Sequence, residues 1–226
     1  MRKALSVRLL AVLALAGLGA GLPGCSTGSP LHSRYNNFRA YYNTYYNASQ
    51  SLEEGERALE RSAVTVDRNQ LVSVFPVTAS TQTSGPFQDA IDKSAELLRS
   101  RATSKWADDA LMVIGKAYFY QRNFVGAEQK FRETMAAAEL VEDRRLGDEA
   151  RFWLGRTYAS ANRFDDGVLV LEEGLADEGG DRFWRARMQL ALGELYARAG
   201  RWDEAAGTLR EGAPEEGDAD IAARAF

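Results

Sequence analysis

The stretches that decide the fold are Leu154-Gly155-Arg156-Thr157-Tyr158 and its counterparts Ile114-Gly115-Lys116-Ala117-Tyr118 and Leu192-Gly193-Glu194-Leu195-Tyr196. Their glycines are 40 and then 38 residues apart. An aromatic, a small and an apolar residue then follow each Tyr at constant spacing. In chain order these landmarks are Phe124, Ala127 and Phe131, then Phe164, Gly167 and Leu171, then Trp202, Ala205 and Leu209. Three matches in one register predict a repeated unit of two helices.

This register resembles the tetratricopeptide repeat, a helix-turn-helix unit with L-G-x-x-Y in its first helix and the three landmarks in its second. The resemblance implies an all-α fold, a right-handed superhelical solenoid of such hairpins. Glycine lets the two helices approach, and the Tyr and the second-helix aromatic residue are expected to wedge between them. We expect Asn123, Asn162 and Gly200 at the hairpin turns, where the first helix ends in the left-handed region.

Residues 104–217 hold the three repeats, and residues 31–103 hold an incomplete unit before them. Phe87 to Arg101 matches a second helix, and the helical pattern from Leu31 to Ser62 is its expected mate. Between them, Ala63 to Pro86 is rich in Val, Thr and Ser, which predicts irregular chain or a short strand, functional or draped over the solenoid. Residues 218–226 are expected to start a further repeat that continues beyond Phe226, since natural stacks end in a polar cap.

The first 24 residues have the pattern of an export signal. Three basic residues come first, Arg2, Lys3 and Arg8. The apolar run from Leu9 to Leu22 then follows, and it is short for a membrane span. We therefore expect these residues to be removed.

The run ends at Leu22-Pro23-Gly24-Cys25, which resembles the bacterial lipobox. The resemblance implies that Cys25 becomes a lipidated N-terminus, with residues 25–30 as a short tether. Ser26 after the cysteine implies an outer-membrane location, facing the periplasm. The alternative is that Cys25 is a buried thiol at the end of a membrane anchor.

Composition excludes several classes of function. Without the export signal the chain carries 25 basic and 32 acidic residues, a balance that does not favour nucleic-acid binding. One cysteine and one histidine cannot form an internal disulfide or a usual zinc site. We therefore expect no nucleic-acid partner, no metal and no cofactor.

No residues are arranged for catalysis. The pairs Asp108-Asp109, Glu172-Glu173 and Glu215-Glu216 contain the residue type that glycosidases use for acid–base chemistry. Adjacent residues on a helix point about 100° apart, so a pair cannot present two carboxylates to one substrate atom. Solvated faces or helix-start positions explain them better, and we expect no enzyme activity.

In tetratricopeptide stacks the first helices line a concave groove that takes peptide or helix ligands. Transferring the groove positions by resemblance gives the expected partner-binding residues: Asp109, Met112, Lys116, Phe119, Tyr120, Phe152, Arg156, Ser160, Arg187, Glu194 and Arg198. The alternative for each is packing between repeats or simple exposure. Because Phe119 and Tyr120 directly follow Tyr118, we expect at least one of the three to face outward into the groove.

Two stretches carry a narrower resemblance, Tyr42 to Gly55 and Lys105 to Tyr120. With the lipobox, they resemble the start of the large tetratricopeptide lipoproteins tied to type IX secretion and gliding motility in the Bacteroidetes lineage. This resemblance implies a membrane-anchored scaffold whose partners are other envelope proteins. An outer-membrane protein assembly or envelope-organising lipoprotein is the alternative, and the docking arm of a longer enzyme is a third possibility. The aromatic stretch from Tyr35 to Tyr46 could stack sugars or bases, but packing at the start of the solenoid explains it better.

The lipobox generates the first prediction. Cys25→Ser removes the thiol that would be acylated, so we expect the variant to lose all labelling by a fatty-acid probe and to remain uncleaved or be processed elsewhere. Metabolic labelling followed by mass spectrometry of the N-terminus measures both effects. Persistent lipid labelling of the variant would show that Cys25 is not the anchor.

Overall fold

The structure of the 226-residue chain is a computed structural model. It describes residues 30–40, 44–61, 73–76, 84–177 and 179–225. The export signal, Cys25 and most of the predicted insert therefore lie outside the described residues. Every regular element in the described ranges is helical.

The described helices follow one another with short connections in the second half of the chain. In chain order they are α1 Pro30–Ala40, α2 Tyr46–Arg61, α3 Ser84–Ser100, α4 Ala107–Tyr120, α5 Phe124–Leu140, α6 Arg144–Ser160, α7 Phe164–Ala176, α8 Arg182–Arg198, α9 Trp202–Gly212 and α10 Ala219–Arg224. A 3₁₀ turn, Ala213–Glu215, separates the last two. None of the helices in these ranges has the length and apolar character needed to cross a bilayer.

Helices α4 to α9 form three antiparallel hairpins, and α2 pairs with α3 in the same way. Each second helix also packs against the first helix of the next hairpin, and the first helices α6 and α8 contact each other directly. This stacking of neighbouring hairpins is the arrangement of a solenoid. The predicted all-α solenoid of tetratricopeptide-type hairpins is confirmed.

Polar side chains at helix starts explain where several helices begin. Each accepts a hydrogen bond from a backbone N–H two or three residues later, which satisfies a donor that has no partner within the helix. The caps are Asn123 for α5, Asp143 for α6, Asp181 for α8 and Asp218 for α10. The sequence thus marks the helix boundaries locally, before any packing is considered.

Each hairpin closes where a glycine of the first helix meets a large side chain of the second. A Cβ atom on Gly115 would lie 2.6 Å from Phe131 Cε1, and one on Gly155 would lie 2.6 Å from Leu171 Cδ2. The third hairpin repeats this contact, with 2.6 Å between a Cβ on Gly193 and Leu209 Cγ. These distances are too short for a real side chain, so the backbones can approach only because glycine stands there.

The α2–α3 hairpin closes on the same kind of contact but takes its large side chain from a different position. Ser94 stands where Phe131 stands in the next unit, and it is too small to fill that space. Instead Phe87 lies against Gly55, where a Cβ would be 2.5 Å from its ring. Phe87 is 1% exposed, so this hairpin has a closed core despite its incomplete sequence match.

One hairpin turn differs from the sequence prediction. Asn162 and Gly200 have positive φ angles, 58° and 76°, as expected at these turns. In the first hairpin the left-handed residue is Arg122, with φ 60°, so the expectation for Asn123 was wrong. Asn123 has φ −82° and caps α5 instead, because its side chain accepts a hydrogen bond from Gly126.

Three further expectations need correction. The predicted wedge residue Trp202 is 62% exposed, so it does not wedge between α8 and α9. The predicted insert ends before Pro86, since α3 already begins at Ser84. Pro86 is compatible with the first turn of a helix, where its missing N–H is not needed. The stretch from Leu31 to Ser62, which was expected to form one helix, contains two helices, α1 and α2. Residues 41–43 are not among the described residues.

The close contacts at the repeat glycines predict that alanine lowers the stability of the chain there, although alanine normally stabilises a helix relative to glycine. In Gly155→Ala the new methyl meets Leu171, which is fully buried. Overpacking of about 1–3 kcal/mol should exceed the roughly 1 kcal/mol that alanine contributes to a helix over glycine. We therefore expect a lower melting temperature by circular dichroism.

Gly207 in α9 is the matched control, because a Cβ there would meet nothing within 4 Å. Gly207→Ala should hold or raise the melting temperature, since only the helix preference acts. Equal stabilisation by both substitutions would mean that Gly155 is not a close-approach site.

Candidate functional site

The residues that directly follow the three repeat glycines occupy one position of the unit on successive first helices. They are Lys116 on α4, Arg156 on α6 and Glu194 on α8. Lys116 forms an ion pair with Glu149 of α6, and the two side chains are 18% and 12% exposed. Charged side chains this covered need a partner, because desolvation of an unpaired charge is costly. The repeat therefore places a row of charged side chains along the first helices.

Arg156 lies at the centre of this row among four aromatic rings. Its guanidinium carbon is 4.7 Å from the ring centre of Trp153, 5.0 Å from Phe119 and 5.6 Å from Phe152. The fourth ring, Phe75, is 5.4 Å away. These distances are within the range of cation–π attraction. Burial lowers the pKa of Arg156, and the nearby Tyr120 and Glu194 oppose that shift.

A short segment of the chain itself, Ser73–Pro76, lies on this surface. The Arg156 Nη2 atom donates a hydrogen bond to the Phe75 carbonyl oxygen at 3.1 Å. Glu194 accepts two hydrogen bonds from the segment, from the Ser73 hydroxyl at 2.9 Å and from the Val74 backbone N–H at 3.0 Å. We call the surface of α6 and α8 that contacts this segment the segment-binding groove.

Two side chains of the segment are packed against the solenoid. Val74 is 2% exposed and belongs to a small core cluster. The other buried members of this cluster are Leu190, Ala213 and Ala225. Phe75 packs edge-on against Phe152, with ring centres 5.0 Å apart. A four-residue segment thus fills an aliphatic and an aromatic pocket next to each other.

Acidic residues surround the start of the row. Burial, together with the charges of Asp143, Asp108 and Glu149, raises the pKa of Asp109 to about 6. Burial also raises the pKa of Glu56 of α2, whose carboxylate is hydrogen-bonded to the Tyr120 side chain. The pKa of Tyr120 is raised for the same reason. The charge of Lys105 opposes the shift in the pKa of Asp109 at the start of α4, and the charge of Lys116 opposes the shift in the pKa of Glu56.

The expectation that at least one aromatic residue of α4 faces outward into the groove is excluded for Phe119 and stays a prediction for Tyr118 and Tyr120, whose side chains are only partly buried. Phe119 is completely buried, and Tyr120 stacks on Phe87 of α3 with ring centres 5.0 Å apart. Tyr118 is also partly buried in the core. Tyr118 and Tyr120 stay partly exposed although α4 has helices on several sides, α2 and α3 before it and α5 and α6 after it.

The other predicted groove residues divide into buried and paired ones. Met112 and Phe152 are buried and present no surface to a partner in this arrangement. Arg187 pairs with the buried carboxylate of Glu216 at 3.0 Å, and Arg198 pairs with Glu194 at 2.7 Å. Ser160 is partly buried near the end of α6. The structure therefore brings Phe119, Tyr120, Phe152, Arg187 and Glu194 close to Arg156, and Arg198 pairs with Glu194.

The two carboxylates of Glu215-Glu216 pair with different arginines. Glu216 pairs with Arg187, whereas its neighbour Glu215 forms an ion pair with Arg182. Glu172 accepts a hydrogen bond from the Tyr196 hydroxyl. Within the described ranges, no three His, Cys, Asp or Glu side chains are grouped as metal ligands. These carboxylates form ion pairs and a hydrogen bond with other residues of the chain.

Sequence reasoning did not identify the contact residues of the segment itself. Ser73, Val74 and Phe75 lie inside the predicted irregular insert, which was expected only to be functional or draped over the solenoid. A local signal was present, since residues 71–77 form an apolar run that only Ser73 interrupts. Their docking position was not encoded locally, because Val74 and Glu194 are 120 residues apart.

Comparison with known proteins supports the repeat assignment. Residues 190–218 match the family model described as tetratricopeptide repeat. This range includes Glu194 and all of α9. Among solved structures, the chain is similar to nearly identical tetratricopeptide-like repeats of a protein described as a kinesin light chain from Podospora anserina. That likeness has 16% identity and a TM-score of 0.48, and covers 83% of this chain and 96% of that chain. A comparison with curated proteins found no match.

The raised pKa of Asp109 predicts a pH effect on stability. Its folded-state pKa of about 6 lies above the ordinary value near 3.9, so the folded chain binds this proton more tightly than the unfolded chain does. The contribution of Asp109 to the free energy of unfolding should therefore fall as pH rises from about 4 to 6.

Asp109→Asn removes that titration and should stabilise the chain at pH 7 by about 1 kcal/mol, after allowance for solvent screening. The gain should shrink toward pH 4. Urea unfolding at both pH values measures it, with Asp89→Asn on the exposed surface of α3 as control. A gain that does not depend on pH would show that the Asp109 carboxyl is not held in a protonation-favouring environment.

Proposed function

We propose that the chain is a non-catalytic scaffold that binds other proteins along the first helices of its repeats. Tetratricopeptide-type hairpins are suited to this, since their stacking leaves an extended surface for a ligand. The observation that carries the proposal is the segment-binding groove, where α6 and α8 hold Ser73–Pro76 by contacts to its backbone. A surface that binds the backbone of a short segment within its own chain has the chemistry needed to bind such a segment in another.

We further propose that this scaffold is anchored in the outer membrane through Cys25 and faces the periplasm. The support comes from the sequence alone, in the export signal and the lipobox-like Leu22-Pro23-Gly24-Cys25. Lipidation with more than one acyl chain would make the anchorage effectively permanent. A permanently anchored binding module would hold its partners close to the membrane surface.

The partners we propose are components of type IX secretion or gliding motility. This rests on the resemblance of the stretches Tyr42 to Gly55 and Lys105 to Tyr120 to lipoproteins of those systems. An outer-membrane protein assembly or envelope-organising role is the alternative, since lipoproteins of that kind carry similar repeats. The docking arm of a longer enzyme is the third possibility.

Capture of partners from the envelope tests the proposal. The full chain with a C-terminal tag is expressed in its native host, crosslinked in the intact envelope, solubilised in detergent and purified. We expect it in the outer-membrane fraction together with type IX secretion or gliding proteins at comparable molar amounts. Quantitative mass spectrometry against an equally expressed, tagged lipoprotein without repeats measures the enrichment.

Different outcomes of the capture separate the alternatives. Enrichment of barrel-assembly proteins instead would support the alternative role. Recovery of a chain larger than 226 residues with a catalytic domain would support the enzyme-arm possibility. No protein enriched over the control lipoprotein would reject the scaffold proposal.

A further inference from the structure

The contacts of Ser73–Pro76 include its backbone groups, and the chain bends at Val74 and Phe75. Glu194 accepts from the Val74 N–H, and Arg156 donates to the carbonyl oxygen of the next residue, Phe75. Both hydrogen bonds involve a charged partner, and such bonds are stronger than neutral ones. Because every residue has these backbone groups except for the N–H of proline, the two charges would hold a chain of almost any sequence in this bent conformation.

The pockets on either side of these bonds add preference for particular side chains. Val74 enters a site that includes Leu190 of α8 and Ala213 of the 3₁₀ turn, which has space for an aliphatic residue. Phe75 lies between the ring of Phe152 and the guanidinium of Arg156. An aliphatic residue followed by an aromatic one is therefore the pattern that this surface accepts.

The groove is built from positions that the repeat itself defines. Arg156 and Glu194 each follow a repeat glycine, so they lie at equivalent places on neighbouring first helices. Residues used only to hold one loop of the chain would not be expected to fall at equivalent repeat positions. The agreement indicates a ligand surface of the solenoid that one segment of the same chain occupies.

We propose that the segment-binding groove is a recognition site for a peptide of a partner protein in which an aliphatic residue precedes an aromatic one. Ser73–Pro76 occupies this site in the free chain and competes with the partner. The inference rests on the proposed scaffold function and names the chemistry of its ligand. Because the segment belongs to the same chain, its effective concentration is high, and the partner peptide binds weakly until the segment is displaced.

A peptide with the sequence of residues 71–78, Leu-Val-Ser-Val-Phe-Pro-Val-Thr, provides the probe. The full chain carrying Val74→Ser and Phe75→Ser has a weakened internal competitor and unchanged groove walls. We expect fluorescence anisotropy to show at least tenfold tighter binding of the labelled peptide to this variant than to the unchanged chain. A peptide with serine at the Val74 and Phe75 positions should bind at least tenfold more weakly than the probe.

Substitutions in the groove test which residues hold the probe. Adding Arg156→Met to the double variant should weaken binding at least tenfold, since it removes the donor to the peptide carbonyl. Arg210→Met is the control, because Arg210 is exposed on α9. Failure of the folded double variant to bind the probe, equal binding of the serine peptide, or equal effects of the two arginine substitutions would overturn the proposal.

Hydrogen exchange of the unchanged chain gives a second measurement that does not need the double variant to fold. The Val74 amide is protected by Glu194, so excess probe should speed its exchange if the probe displaces the segment. An unchanged rate under a large excess of probe would overturn the proposal. Both measurements use purified chain, so they remain informative if capture from the envelope finds no partner, and that capture can succeed if the probe does not bind.

Discussion

The close contact between a glycine and a large side chain inside each hairpin is the constraint on which the rest of the structure depends. Where Gly155 faces Leu171, the next residue is turned about 100° around α6. That rotation places Arg156 toward the neighbouring first helices instead of toward α7. The same rotation orients Lys116 on α4 and Glu194 on α8, because each of them also directly follows a repeat glycine. One packing rule therefore fixes both how the hairpins close and which charged residues line the groove.

The choice of arginine at position 156 follows from its surroundings. A guanidinium is more weakly hydrated than an ammonium and can stack against ring faces, so it loses less when four aromatic side chains cover it. Its donors still need acceptors in such a place, because a buried polar group without a hydrogen bond is costly. The Phe75 carbonyl provides one. The aromatic packing between repeats and the binding of the segment are thus coupled through one side chain.

Repeat periodicity could predict the hairpins and three residues of the groove, Phe152, Arg156 and Glu194, because equivalent positions of a solenoid have equivalent surroundings. It failed for Phe119, since its burial depends on helices that approach α4 from both neighbouring hairpins. It also failed for Trp202, which was expected to wedge between the helices of its own hairpin but is mostly exposed. Docking of Val74 beside Glu194 joins residues 120 positions apart, and no local pattern encodes such a contact. Local sequence patterns therefore predicted the hairpins, whereas contacts with other parts of the chain determined which side chains are exposed.

An attached segment sets a requirement on any ligand that replaces it. A partner peptide that made only the contacts of Ser73–Pro76 would face the same contacts offered at high effective concentration by the chain itself. It must therefore gain additional contacts outside the part of the groove that the segment covers. Towards α4 the row continues with Asp109 and the Lys116–Glu149 pair, all of them partly exposed. A ligand that extends from α8 across α6 to these charges would meet the requirement, because each further pairing adds to binding without a competing group from the segment.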